Sequence, residues 1–213
     1  MKRIFDFSLA LTGLILSSPL WAVIAAAVWL ESGLPVFYSQ DRTGKDGKVF
    51  KLWKFRSMVK DAEKNTGVVW AAEHDPRVTK VGWLLRETAM DELPQLWNIL
   101  KGDMSFVGPR SERPELVEKF VKDFPDFNKR HAVIPGLTGV AQILGSAYTE
   151  PKVKFRYDMW YIKHRSFWLD IYLIFLSFII TFQKKWEIKE DKFHILGRRF
   201  KEKVGSEIKD LKA

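Results

Sequence analysis

Residues 7–30, FSLALTGLILSSPLWAVIAAAVWL, carry no charged side chain over 24 positions. At a rise of about 1.5 Å per residue, a helix of this length reaches roughly 36 Å, more than the ~30 Å hydrocarbon core of a bilayer. Lys2 and Arg3 precede the run. A cleaved signal peptide has a shorter apolar core followed by a small-residue cleavage site, and neither feature is present here. Ser17-Ser18-Pro19 interrupts the middle of the run. A proline there removes one backbone donor and crowds the preceding turn. A neighbouring serine hydroxyl can take up the carbonyl set free. The segment either crosses the membrane with a bend or turns back at Pro19. Basic residues flank one end, and the other end leads into a basic domain, so the positive-inside rule puts both ends in the cytoplasm. That favours a re-entrant helix–break–helix hairpin broken at Ser18 and Pro19.

The remaining composition narrows the function classes. The chain has 213 residues, which suits one domain plus an appendage. A net charge of +9 points to anionic partners such as phosphates, nucleic acid or an acidic lipid surface. The absence of cysteine excludes disulfides, thiolate nucleophiles and Cys-ligated zinc. The nine tryptophans favour sites with one wet and one apolar side, membrane interfaces among them. A nucleic-acid binder would cluster basic and aromatic residues on one surface. Here the basic residues are dispersed among acids, which argues against that class.

Along the rest of the chain, residues 36–58 alternate β-branched and aromatic residues around Gly44 and Gly47, as a β-hairpin does. Leu93, Leu96, Trp97 and Leu100 fall at i, i+3, i+4 and i+7 and predict a helix that Gly102 can end. Leu116, Val117, Phe120, Val121 and Phe124 predict another, stopped by Pro125. Pro135-Gly136 reads as a turn, and residues 152–164 as helix. Residues 167–182 are apolar but short for a span, with Asp170 near their start, so a buried or interface-lying helix is expected. Beyond residue 183, ten basic and six acidic residues predict a solvated or loosely ordered tail able to touch anionic lipid. The fold class expected is α+β, helix-rich with a short β-hairpin. Its regions are a membrane helix at 1–35, a catalytic domain with interfacial helices at 36–182, and a basic tail at 183–213.

The chemistry is concentrated in ETAMDELPQLWNILKGDMSFVGPR, residues 87–110. Asp91 and Glu92 stand side by side just before the helical pattern. The structural explanation is capping: an aspartate N-cap accepts a backbone N–H one turn in, and a first-turn glutamate suits the helix dipole. The functional explanation uses the same placement. Two adjacent carboxylates suit a divalent ion beside phosphates, Mg²⁺ above all. An ionised aspartate can also attack phosphorus to form an acyl phosphate. Such an attack on an anionic diphosphate needs cations nearby, and Lys54, Arg56, Arg86 and Arg110 are the candidates. His74, His131, His164 and His194 show no metal-ligand spacing. Trp53, Trp160, Trp168 and Trp186 read as packing or interfacial residues, and Asp103 as a turn residue.

These motifs resemble the bacterial sugar transferases, specifically the small monotopic polyprenyl-phosphate phosphoglycosyl transferases. The resemblance is carried by Ser18-Pro19, QDRTG at 40–44, KLWKFRSM at 51–58, the block DPRVTKVGWLLRETAMDELPQLWNILKGDMSFVGPR at 75–110, PGLTGVAQ at 135–142 and YDMWYIKHRSFWLD at 157–170. It covers residues 1 to about 182, and the 75–110 block is its specific part. It implies a re-entrant helix in one leaflet of the bacterial cytoplasmic membrane, with the active site on the cytoplasmic face. The reaction implied is transfer of a sugar 1-phosphate from a nucleoside diphosphate sugar, usually a UDP-sugar, to polyprenyl phosphate. UMP is released, and the step opens a surface glycan pathway. The resemblance makes Asp91 the nucleophile and Glu92 the Mg²⁺ holder with Asp91 beside it, and it lines the substrate site with Lys54, Arg86, Arg110 and Asp170. Nucleotide sugar, polyprenyl phosphate and membrane lipid are the implied partners, and nucleic acid is not one.

Two departures bear on the nucleotide sugar. The family often has Arg-Pro-Gly where this chain has Ile134-Pro135-Gly136, and Gly-Pro-Arg-Pro where it has Gly108-Pro109-Arg110-Ser111. Arg130 or Lys129 could replace the missing cation. The rival reading is a non-catalytic membrane module that binds anionic lipid through its positive charge.

Overall fold

The computed structural model describes residues 1–64, 67, 75–145, 149–182 and 195–210. The chain divides into two compact units. One comprises residues 1, 3–40 and 51–102, and the other residues 2, 41–50 and 103–213. The architecture is helix-rich α+β, with two small two-stranded sheets among the described residues.

The first unit is organised by α1, Lys2–Ser32, a single helix with Pro19 inside it. Its 31 residues would extend about 46 Å if straight. Among the described residues it is the one helix long and apolar enough to cross a membrane. The sequence predicted a break at Ser18-Pro19, but the helix runs through it. Proline cannot donate to the carbonyl four residues back, at Ile15. The Ser18 hydroxyl donates to that carbonyl instead, at 2.8 Å, so one donor replaces another.

Both ends of α1 are fastened to the same unit. Near its start, the Arg3 guanidinium donates to the carbonyls of Ile99 and Leu100. At its end, Arg56 Nη2 donates to the Ser32 carbonyl and hydroxyl, each at 2.8 Å, and to the Gly33 carbonyl. Ala10 is buried near the start, while Trp21, Ile24 and Val28 pack against Phe55, Leu85 and Leu93 near the end. Between these anchors Ile15, Leu16 and Leu20 are exposed.

The predicted hairpin is present as β1, Phe37–Thr43, and β2, Val49–Phe55. Its turn has Gly47 at φ 76°, a conformation open to glycine. α2, Lys80–Glu87, starts at Thr79, whose hydroxyl accepts the Gly82 N–H at 2.9 Å. It lies so close to the preceding chain that a methyl group at Gly82 would stand 2.0 Å from the Ser57 carbonyl oxygen.

α3, Gln95–Lys101, ends at Gly102 with φ 95°, as expected. Its buried side differs from the predicted Leu/Trp stripe. Gln95, Leu96, Asn98 and Ile99 face inward, while Trp97 is 53% exposed. Asn98 occupies that inner face because it bonds the backbone at Lys51 and Trp53.

In the second unit, β3, Ser105–Val107, pairs in parallel with β4, Gly136–Thr138, in the register Ser105 to Gly136 and Val107 to Thr138. Pro135-Gly136 is therefore the entry to a strand and not the predicted turn. The Pro135 carbonyl accepts the Ser105 N–H at 2.9 Å. α4, Pro114–Asp123, and α6, Pro151–His164, match the two expected helices. A short α5, Val140–Leu144, follows β4.

α7, Phe167–Phe182, buries Leu173, Leu176 and Ile180, and exposes Phe175, Phe178 and Phe182. It is thus buried on one face and open on the other. The expectation of a solvated tail fails over 195–210, which form α8, Ile195–Asp210. Phe200, Val204 and Ile208 follow at i, i+4 and i+8. Val204 and Ile208 join the core of Trp160, Leu173 and Leu176, and Trp160 Nε1 donates to Glu207 at 2.7 Å. The run's charge hid a narrow apolar stripe. His74, Trp186 and His194 lie outside the described residues.

Candidate active site

The turn that carries the two carboxylates begins with backbone that few side chains adopt. Ala89 sits in the left-handed region at φ 55° and ψ 17° and starts a tight turn over Met90–Glu92. α3 begins only at Gln95, after Pro94. Asp91 is therefore not the N-cap that capping rules suggested, and its side chain is directed to another group.

That group is Lys54 of β2. Its Nζ lies 2.6 Å from Glu92 Oε1 and 3.4 Å from Asp91 Oδ2. Asp91 is only 5% exposed. Burial pushes its carboxyl above the usual range. The Lys54 ammonium pulls it back down, the Glu92 carboxylate raises it, and Arg86 lowers it. The acid sits against one ammonium and within the field of one guanidinium, beside a second carboxylate.

Each partner is itself held in place. Arg86 Nε donates to Ser57 Oγ at 2.9 Å, joining α2 to the chain two residues beyond the end of β2. Asn98, with no exposed surface, bonds β2 on both sides of Leu52. Its Oδ1 accepts the Trp53 N–H at 3.1 Å and its Nδ2 donates to the Lys51 carbonyl at 2.7 Å. Fixing the backbone one residue from Lys54 fixes where its side chain starts. Nothing in the motif reading singled out Ser57, Gln95 or Asn98. The spacing 91, 95, 98 is a helical i, i+4, i+7 series and was the available signal.

The structure thus brings Lys54, Arg86, Asp91 and Glu92 together. The other candidates have partners of their own. Arg56 closes the end of α1 and does not join the carboxylates. Arg110 and Asp170 belong to the second unit. There the backbone of 108–112 is tied down residue by residue. Gly108 N donates to the Thr138 carbonyl and Gly136 N to the Pro109 carbonyl. Arg130 Nη2 donates to the Arg110 carbonyl at 2.9 Å, Arg42 Nη1 to that of Ser111 at 2.9 Å, and Thr43 N to that of Glu112 at 2.8 Å.

Arg130, offered by sequence as a substitute substrate cation, is 2% exposed and paired with the equally buried Asp158 at 2.7 Å. Its role is to support the loop of Arg110. Asp170 is buried too. It accepts the Tyr161 hydroxyl at 2.7 Å and pairs with Lys2. Lys2 also reaches the Val107 carbonyl.

Among the described residues no three His, Asp or Glu side chains converge as metal ligands. Burial holds the His131 imidazole down at about 4, so it is neutral at pH 7. Asp91 and Glu92 are a two-carboxylate set, which matches how Mg²⁺ is bound when substrate phosphates complete its shell.

The sequence signature of the bacterial sugar transferases matches residues 1–184. The chain belongs to the bacterial sugar transferase family. It is 52% identical over 130 residues to a Bacillus subtilis protein named putative undecaprenyl-phosphate N-acetylgalactosaminyl 1-phosphate transferase. That match covers 61% of this chain and 72% of the relative. It is 40% identical over 178 residues to the UDP-N-acetylgalactosamine-undecaprenyl-phosphate N-acetylgalactosaminephosphotransferase of Aeromonas hydrophila, covering 82% of this chain and 42% of that one. It is 45% identical over 190 residues to the UDP-glucose:undecaprenyl-phosphate glucose-1-phosphate transferase of Escherichia coli K12, covering 87% and 41%. The matches to the latter two sugar transferases therefore span about two fifths of their length.

If Lys54 holds two mutually repelling carboxylates, its loss and the loss of one carboxylate must not add. Lys54→Met is expected to destabilise the fold by about 1–3 kcal/mol, less than the ~3–5 for breaking a fully buried pair because Lys54 is partly exposed. Asp91→Asn in the same chain should recover most of that loss. Thermal unfolding of both single variants and the double variant in detergent checks this, and strictly additive losses would contradict it.

Proposed function

We propose that this sugar transferase moves a sugar 1-phosphate from a UDP-sugar to polyprenyl phosphate through a covalent phosphosugar–Asp91 intermediate, at the cytoplasmic face of the bacterial membrane. The observation that carries the reading is Asp91 itself. It is buried, serves no helix cap, and is faced by Lys54 and Arg86. The names of the relatives, which act on undecaprenyl phosphate, support the same class of reaction.

In the first step an Asp91 carboxylate oxygen attacks the β-phosphorus. The bond from that phosphorus to the bridging oxygen breaks, and the electron pair leaves with UMP. In the second step a phosphate oxygen of the polyprenyl phosphate attacks the same phosphorus, and Asp91 departs as a carboxylate. No proton need move in either step. Lys54 and Arg86 offset the charge that accumulates as one anion approaches another, and they do so from fixed positions. Glu92, with Asp91, would hold Mg²⁺, which when bound supplies charge neutralisation to the diphosphate.

The support for a re-entrant placement is α1. A helix of about 46 Å whose two ends are both tied to one unit, with its exposed apolar residues in between, suits entry and exit through the same leaflet. Pro19, with its carbonyl already satisfied by Ser18, is where we place the bend. A re-entrant helix keeps Asp91 near the headgroups, where the acceptor's phosphate lies.

Two outcomes are expected. Mixed with Mg²⁺ and UDP-N-acetylgalactosamine or UDP-glucose but no acceptor, the purified chain should release about one UMP per enzyme with a matching donor, and Asp91→Asn none. Steady release would identify a hydrolase, and no release from any UDP-sugar would contradict the proposal. Since the chain has no cysteine, single cysteines at Ile4 and Glu31 report topology cleanly. Both should react with an impermeant maleimide only from the cytoplasmic side, whereas labelling from opposite sides would establish a span.

A further inference from the structure

The inner face of the segment that carries the nucleophile holds three polar side chains in succession, and one of them has an amide nitrogen without a hydrogen bond. The turn at Met90–Glu92 continues through Leu93 (φ −51°, ψ −38°) and Pro94 (φ −62°, ψ −15°) into α3. The Leu93 N–H bonds the Met90 carbonyl, Leu96 that of Leu93, and Trp97 that of Pro94. Along this near-helical path Asp91, Gln95 and Asn98 follow at i, i+4 and i+7. They are 5%, 1% and 0% exposed.

The two outer members are satisfied. Asp91 meets Lys54, and Asn98 bonds the backbone at Lys51 and Trp53. Gln95 lies between them, and its Nε2, shielded from solvent, makes no hydrogen bond. Buried amide donors in folded proteins are almost always paired, so an unpaired one at a reaction centre calls for a partner that arrives later. Gln95 follows Asp91 by four residues in the same buried segment, and that shared segment is what ties its amide to the carboxylate.

We infer that Gln95 is a further catalytic residue, whose amide N–H groups donate to the phosphoryl oxygens of the sugar phosphate carried on Asp91. The inference rests on the covalent reading above and specifies the groups that receive the transferred phosphorus. Lys54 and Arg86 supply net charge from β2 and α2. Gln95 supplies a neutral, directional donor from the nucleophile's own segment. Before attack there is no phosphoryl oxygen at that position, which is why the amide is empty in the free protein. When the carboxylate bonds phosphorus, the oxygens come to the amide and its donors are filled. An interaction made only on the way to the intermediate accelerates its formation without tightening nucleotide binding.

The test uses the full chain in detergent, with Gln95→Met, which keeps length and removes the amide, and Gln95→Glu, which keeps shape and replaces the donors. The rate of the acceptor-free UMP burst is measured with whichever UDP-sugar gives the wild-type burst. UMP affinity is measured by calorimetry. The burst is expected to slow at least tenfold in both variants, with UMP affinity within twofold of wild type. A burst within twofold of wild type in Gln95→Met would overturn the assignment. So would loss of UMP binding together with the burst in both variants, since the amide would then be supporting the architecture of the site. If Gln95→Met does not fold, Gln95→Glu decides by the same criteria. A wild-type chain that gives no burst overturns the covalent reading itself, and this assignment with it.

Discussion

One ammonium group between two carboxylates is the constraint around which the first unit is arranged. Asp91 and Glu92 are adjacent in sequence, and Asp91 is almost wholly buried. Without a cation they would repel one another in surroundings that already disfavour charge. Lys54 supplies that cation from a different element, so β2 must lie at a fixed height beside α3. Asn98 sets the height by gripping the backbone at 51 and 53, and Arg86 bonds Ser57, two residues past the end of that strand. The glycine at position 82 lets α2 come close enough for that contact. These residues are scattered across KLWKFRSM and the 75–110 block, and the site explains why those two stretches belong together.

The same economy shapes α1. Arg56, two residues after Lys54, closes the end of the apolar helix α1, while Arg3 ties its beginning to the carbonyls of Ile99 and Leu100. One short motif thus provides both a charge for the carboxylates and an anchor for α1. In the second unit, charge is used for bracing. Arg130 with Asp158 holds the Arg110 carbonyl, and Asp170 gathers Lys2 and Tyr161. A basic composition here reflects support of backbone as well as attraction of anions.

Much of the fold was legible because local rules dominate where they are strong. The hairpin at Gly44 and Gly47, the stop at Gly102 and the helices at 114–123 and 151–164 follow from turn chemistry and periodicity. Asp91 and Glu92 with Lys54 and Arg86 were legible as a site through the motifs. What escaped the sequence depends on tertiary partners. β4 begins at Pro135-Gly136 because β3 offers it a ladder, which no local rule reveals. The inner face of α3 is polar because β2 needs Asn98, so a search for apolar spacing chose Trp97 wrongly. α8 was hidden by its charge, although its stripe at 200, 204 and 208 could be read; it lies beyond residue 184, where the family match ends. The partners of Asp170 and Arg130, namely Lys2 and Tyr161 for the first and Asp158 for the second, are distant in sequence and could not be read from it.

The central claim is a bond between Asp91 and phosphorus. Enzyme mixed with its UDP-sugar donor, without acceptor, can be quenched in acid and digested with trypsin. Cleavage after Arg86 and Lys101 isolates residues 87–101. The account predicts that this peptide gains the mass of one sugar phosphate and that fragmentation assigns it to position 91. The same mass on Glu92 or on any other peptide, or full turnover by Asp91→Ala, would contradict it.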